Sequence, residues 1–306
     1  GQRWFSKIGK LPFVPGEKLE EPGPLYYDAL FQTPFLDALT LDFARAAVAG
    51  ERLGQRNETD ILAVSLSSHD YVNHSTSAES RISHDHVLQL DNLLAAFFRD
   101  LDRAVGRDRY LVVFTSDHGF TPVPEHSWSR GIEAGRMGSN EIVARLNAGL
   151  AKKFGEGAWA RSLVAQTIVL DNALIASRGV DRPALEAEAK RLLLLEPGLA
   201  AAFTRGELLD PLTPDAPYLA QARHSYYPGR SGDFQLVTKP YWIFGSSTGV
   251  ATHGSPHPYD TNVPVAFWGP AWVSAGKREG RVAVVDIAPT LAKVLGIRPP
   301  SLSEGK

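Results

Sequence analysis

The chain has 306 residues, 43% of them hydrophobic, and its 32 Lys+Arg and 34 Asp+Glu leave a formal net charge of −2. That balance excludes a disordered chain, and without a basic stripe interleaved with aromatics it excludes the usual footprint of nucleic-acid binding. Cysteine is absent, so disulfides and thiolate metal sites are excluded and a transition metal would have to sit on His and carboxylate. The opening GQRWFSKIGKLPFVPG has no initiator Met and no apolar signal core, and no run is long enough to span a bilayer. It reads as a piece of a longer precursor.

Residues 1–35 carry Pro12, Pro15, Pro22, Pro24 and Pro34 among aromatics and glycines, which predicts an irregular surface segment. From Leu36 to about Leu53 apolar residues recur at helical spacing, with Gly54 as a stop. Ile61–Leu66 is a short apolar run with polar flanks, the pattern of a buried parallel strand. Thr76 and Glu79 have capping-box spacing, and Val87, Leu90, Leu94, Phe97, Leu101 and Val105 follow at steps of three and four. One long helix is therefore expected from about Ser77 to Val105. Tyr110–Thr115 is β-branched and aromatic, and completes a βαβ unit with a right-handed crossover. A polar excursion runs from about Gly119 to Asn140. Glu141–Phe154 then reads as a helix, Val164–Leu170 as a strand and Pro183–Leu195 as a helix, with Pro183 early, where a missing N–H is harmless. Glu196–Ala222 has no deciding periodicity. Phe234–Thr238, Tyr241–Phe244 and Val263–Trp268 read as strands, and Val282–Leu295 as a strand entering a helix near Asp286. The expected architecture is α/β, with Ile61–Leu66, Tyr110–Thr115 and Val263–Trp268 in one mainly parallel sheet covered by helices on both faces.

Two of these strands end in clusters able to do chemistry. Ligands of open α/β sheets bind beyond the carboxyl ends of the strands, so clusters on neighbouring strands would converge on one crevice. Asp70 and His74 are four apart and would share a helix face; the bland alternative is a solvated loop. Asp117 and His118 precede Gly119, which permits the bend two adjacent ligands need; the bland alternative is a turn with a capping Asp. His253, in Thr252–His253–Gly254–Ser255, is a third candidate, although a lone loop histidine is more often a surface residue. His69, His84, His86, His126, His224 and His257 receive that surface reading individually.

The segments SLSSHDYVNH, LDNLLAAFFRDLDRAVGRDRYLVVFTSDHGFTPVP, ATHGSPHPYDTNVPVAFWG and VDIAPTLAKVLGI, in this order from Asp70 to Gly296, resemble the alkaline phosphatase superfamily. The nearest branch is the type I phosphodiesterase/nucleotide pyrophosphatase-like alkaline phosphatases, the PafA-like monoesterases. The resemblance implies a three-layer α/β/α sandwich with a mostly parallel central sheet, residues 1–306 being the C-terminal portion of one catalytic domain. It implies two zinc ions, one on Asp70, His74 and His253 and the other on Asp117 and His118. The second ion is then one protein ligand short, and that carboxylate and the Thr or Ser nucleophile would lie upstream of Gly1. Asn262 stands where many relatives have His and Asn73 where many have Gly. The implied activity is hydrolysis of a small phosphate monoester through a phospho-enzyme. Phosphodiester or nucleotide pyrophosphate hydrolysis is the alternative, and a non-catalytic metal-binding homologue is the reading from another class. The resemblance places such a protein in the periplasm or outside the cell and implies no nucleic-acid or membrane partner.

Overall fold

The long amphipathic runs become helices close to their predicted bounds in a computed structural model that describes residues 24–305. Chain contacts divide these residues into two units, one formed by 74–79 and 120–261, the other by 24–73, 80–119 and 262–305.

The first unit is built on a four-stranded antiparallel sheet in the order β3 (Ala160–Val164), β4 (Thr167–Leu170), β6 (Phe234–Thr238), β5 (Leu199–Thr204). Helix α6 (Ser139–Phe154) places Ile142, Leu146 and Leu150 on one buried stripe and stops at Gly155, whose φ of +87° suits a residue without Cβ. Helix α8 (Arg182–Leu193) begins where the Asp181 side chain accepts the Ala184 N–H, and it buries Leu185, Ala189 and Leu193. These stripes join Trp159, Ile168, Leu170, Phe234 and Leu236 in one core. The expected strand over Val164–Leu170 is a hairpin instead: Ala165 and Gln166 turn the chain at φ of +46° and +64°. Asn-Gly or Asp-Gly commonly makes such turns, so Ala-Gln carries no signal for one. The undecided stretch holds β5, then α9 (Arg205–Leu209), started by a capping box between Thr204 and Glu207, and α10 (Leu219–His224). Strand β2 (Gly135–Met137) pairs in parallel with β7 (Trp242–Phe244), and the helices α5 (Pro124–Ser129), α7 (Asn172–Ser177) and α11 (Pro258–Thr261) complete the unit.

In the second unit the expected irregular segment is partly helical: α1 spans Pro24–Phe31 and α2 Pro34–Gly50, each with its proline at the start. Residues 1–23 of that expectation lie outside the described residues. Helix α2 packs Leu41 and Ala44 against Phe97 of α4 (Arg81–Ala104). The helix expected from about Ser77 to Val105 forms as α4, and a separate helix, α3 (Ser68–Thr76), precedes it, the two divided at Ser77, whose φ is +78°. Ser80, rather than the expected Thr76, caps α4 by accepting the Ser83 N–H, and the Ser77 hydroxyl donates to Glu79.

The expected parallel sheet needs two corrections. Strands β1 (Val112–Thr115) and β8 (Val265–Trp268) do pair, but antiparallel, with Val112 opposite Trp268 and Thr115 opposite Val265. Ile61–Leu66 forms no strand, and Ile61 is 73% exposed. Apolar content marks a run as able to join a sheet; direction and partner are set by what lies beside it, and no described residue forms a ladder with this run. Among the described residues the only parallel pairing is β2 with β7. Val282 leads into a 3-10 turn at Val284–Asp286 and then α12 (Ile287–Leu295), with no strand before it. No helix among the described residues is long and apolar enough to cross a membrane.

Candidate metal centre

Helix α3 carries two of the candidates. The N–H of Ser68, its first residue, is one that no helix can satisfy internally, and it donates to Asp37 Oδ1 at 3.3 Å. Asp37 is fully buried and its other oxygen is 2.8 Å from His86 Nε2, so a buried carboxylate-imidazole pair anchors the start of the helix. Asp70 lies in the first turn and His74 in the last, one above the other as an i, i+4 pair must be.

Within the first unit, the carbonyl of His74 accepts the Ala251 N–H at 3.1 Å, while His74 Nδ1–H donates to the Ala251 carbonyl at 2.9 Å. That second bond selects the tautomer with the lone pair on Nε2, as in most metal-binding histidines. The His253 ring centroid is 5.0 Å from that of His74, and a ligand atom of each lies within 4.8 Å of the other. Phe120 meets both imidazoles nearly edge-on, at 5.0 Å from His74 and 5.2 Å from His253. The loop bearing His253 is stitched to the chain after Gly119: Thr121 N–H donates to the Thr252 carbonyl and Phe120 N–H to the Tyr259 carbonyl, both at 3.0 Å. Gly254 takes a φ of +100°, a conformation an L side chain resists, and its carbonyl accepts the Gln166 side-chain amide at 2.9 Å.

Within the second unit, β1 ends in the other candidate pair. His118 repeats the pattern of His74: Nδ1–H donates to the Gly119 carbonyl at 2.9 Å, and Nε2 lies 3.7 Å from Asp70 Oδ1 and 3.5 Å from Asp117 Oδ2. The Asp117 side chain is 86% exposed. Ser116 Oγ–H donates to the His118 carbonyl at 2.7 Å and holds the turn.

Several residues here were not legible as functional. Asp37 sits near the start of a helical pattern, where it reads as an early cap and not as a buried anchor for a second helix. Phe120 directly follows the Asp-His-Gly motif, and its aromatic character beside metal-type ligands was the available signal. The surface reading fails for two histidines. His86 is buried on Asp37, and His257 is buried with Nε2–H donating to the Thr238 carbonyl at 2.8 Å. His69 stacks on His86 and lies 2.9 Å from the Ser83 hydroxyl; burial pushes its pKa down, and the neighbouring His86 pushes it further. His84 and His224 are exposed, as expected.

A family model described as type I phosphodiesterase / nucleotide pyrophosphatase matches residues 18–260. A protein of Myroides odoratus named a calcium-transporting ATPase is 33% identical over 95% of this chain and 54% of its own. The alkaline phosphatase PhoK of a Sphingomonas species is 35% identical over 88% of this chain and 49% of its own. The crystal structure of wild-type alkaline phosphatase PafA superposes with a TM-score of 0.85 at 29% identity, over 92% of this chain and 53% of that one. The chain thus spans about half the length of the curated relatives it matches.

Proposed function

Since the chain belongs to the type I phosphodiesterase / nucleotide pyrophosphatase family, we propose that it serves zinc-dependent hydrolysis of small phosphate monoesters through a phospho-enzyme. Asp70, His74 and His253 hold one ion in this reading, and Asp117 and His118 contribute to a second. The observation that carries it is the paired second contact of His74 and His118: each Nδ1–H is taken by a backbone carbonyl, so each Nε2 presents a lone pair. The donor chemistry fits zinc, since carboxylate and imidazole are its common oxygen and nitrogen ligands. The 4.8 Å within which ligand atoms of His74 and His253 lie is wider than the roughly 3.3 Å edge of a tetrahedron with bonds of about 2.0–2.1 Å, so zinc would draw the two rings together.

When bound, two zinc ions supply Lewis-acid stabilisation to the oxygens of an in-line displacement at phosphorus. The chain's own residues prepare for this. Ala251 and Gly119 hold the two imidazoles in one tautomer, Asp70 offers its carboxylate beside His118, and Phe120 packs edge-on against His74 and His253. We assign no residue of this chain as the nucleophile. Hydrolysis of phosphodiesters or nucleotide pyrophosphates is the second reading, favoured by the family's own description. A periplasmic or secreted location goes with either reading.

Zinc titration of dialysed protein by calorimetry tests the assignment. One zinc is expected to bind more tightly than any other, and His253→Ala should weaken it at least about 100-fold, the equivalent of some 2.7 kcal/mol. Turnover of p-nitrophenyl phosphate against its diester separates the two substrate classes. Absence of zinc binding, or affinity unchanged by His253→Ala, would overturn the site.

A further inference from the structure

A second carboxylate in the first unit is buried without being a ligand candidate. Asp260, in the short helix α11, is 3% exposed. Its Oδ2 accepts the Ser255 N–H at 2.7 Å, the Ser255 hydroxyl, and the Thr121 hydroxyl at 3.1 Å; the Thr121 hydroxyl is 3.3 Å from Oδ1. Burying a carboxylate is costly unless it is well hydrogen-bonded, and its three donors here are two hydroxyls and one amide. They come from the two segments that frame His253: the 252–255 loop and the stretch following Gly119.

We infer that Asp260 is a positioning residue for His253, a role that rests on the zinc reading above. The glycine after His253 gives its backbone more freedom than any other residue would, and a ligand on so soft a hinge would sample many orientations. Both sides of the hinge are tied. Thr252 is held by the Thr121 N–H, and Ser255 by two charge-assisted bonds to Asp260, the strong class of hydrogen bond. The same carboxylate grips Thr121, next to the Phe120 ring that packs on His253. Asp260 thereby fixes the imidazole and its aromatic wall together, before any ion arrives.

The test measures zinc affinity and the visible absorption of the Co2+-loaded protein, whose d–d bands report coordination geometry, in the full 306-residue chain. Asp260→Asn keeps the volume but offers an NH2 where Ser255 needs an acceptor. It should weaken the first zinc about 10–100-fold and alter the Co2+ spectrum. Asp233→Asn is the control: Asp233 is equally buried in the same unit, accepts the Leu170 N–H at 2.7 Å and pairs with Arg182. That substitution should lower stability and leave both metal readouts unchanged. Should Asp260→Asn not fold, Thr121→Val and Ser255→Ala each remove a single donor and should each weaken zinc several-fold. Wild-type zinc affinity and spectrum in Asp260→Asn, or in both milder variants, overturns the inference while leaving the metal site intact. Equal losses in Asp260→Asn and Asp233→Asn also overturn it, as a general stability effect. Failure of the wild-type chain to bind zinc, or indifference to His253→Ala, instead removes the reading beneath it.

Discussion

The two units solve the burial problem differently. The first closes a sheet of four strands under α6 and α8, and Trp159, Phe234, Ile142 and Leu150 are fully enclosed in it. The second has a two-stranded ribbon and a small cluster around Leu41, Ala44 and Phe97. There Phe35, Leu39 and Phe43 line the outer side of α2, opposite its buried Leu41, Ala44 and Val48, and Ile61, Val282 and Ile297 are also exposed. A helix apolar on both sides has a buried helix's composition, so the same kinds of residue are core in one unit and surface in the other. Hydrophobicity places a residue inside only when a second layer exists to cover it.

The largest expected effect distinguishing the units is in the first core. Trp159→Ala removes a side chain with no exposure, and with it the Nε1–H bond to the Gly155 carbonyl at 2.9 Å. A cost of about 3–5 kcal/mol is expected in urea unfolding followed by circular dichroism. A loss under about 1 kcal/mol would mean this core is looser than its packing implies. Next, Phe43→Ser on the outer face of α2, where Phe43 is 76% exposed, should change stability by less than about 0.5 kcal/mol in the same assay. A large loss there would show that the outer face is covered in solution and would break the contrast.

The smallest effect is a pH dependence belonging to the first unit. Burial raises the Glu125 and Glu207 pKa values, but bonds to Arg136 in the one case and to Lys190 and Thr204 in the other outweigh it, leaving both below the usual glutamate value. A depressed carboxylate stabilises the folded form above its unfolded pKa, about 4.3, and that contribution is lost as pH falls through the lower folded value. Both groups are partly screened, so a fraction of about 1 kcal/mol each is expected, read as a fall in urea midpoint between about pH 5 and pH 3. In Glu125→Gln that fall should shrink; an unchanged profile would assign the acid sensitivity elsewhere.

Much of the candidate centre was legible locally. The i, i+4 spacing of Asp70 and His74, the glycine after His118 and the Thr-His-Gly-Ser loop are properties of consecutive residues, as are the apolar stripes of α4, α6 and α8. Helix bounds came within a few residues because 3.6-residue periodicity is written in the chain itself. What tertiary structure alone decided involves partners far apart in sequence. The direction of β8 against β1, the lack of a ladder at Ile61–Leu66 among the described residues, Asp37 on His86 and Ser68, and Asp260 across Thr121 and Ser255 all depend on which second segment lies beside the first. A sheet's direction and a buried carboxylate's donors are relations between segments, and no window of consecutive residues contains them.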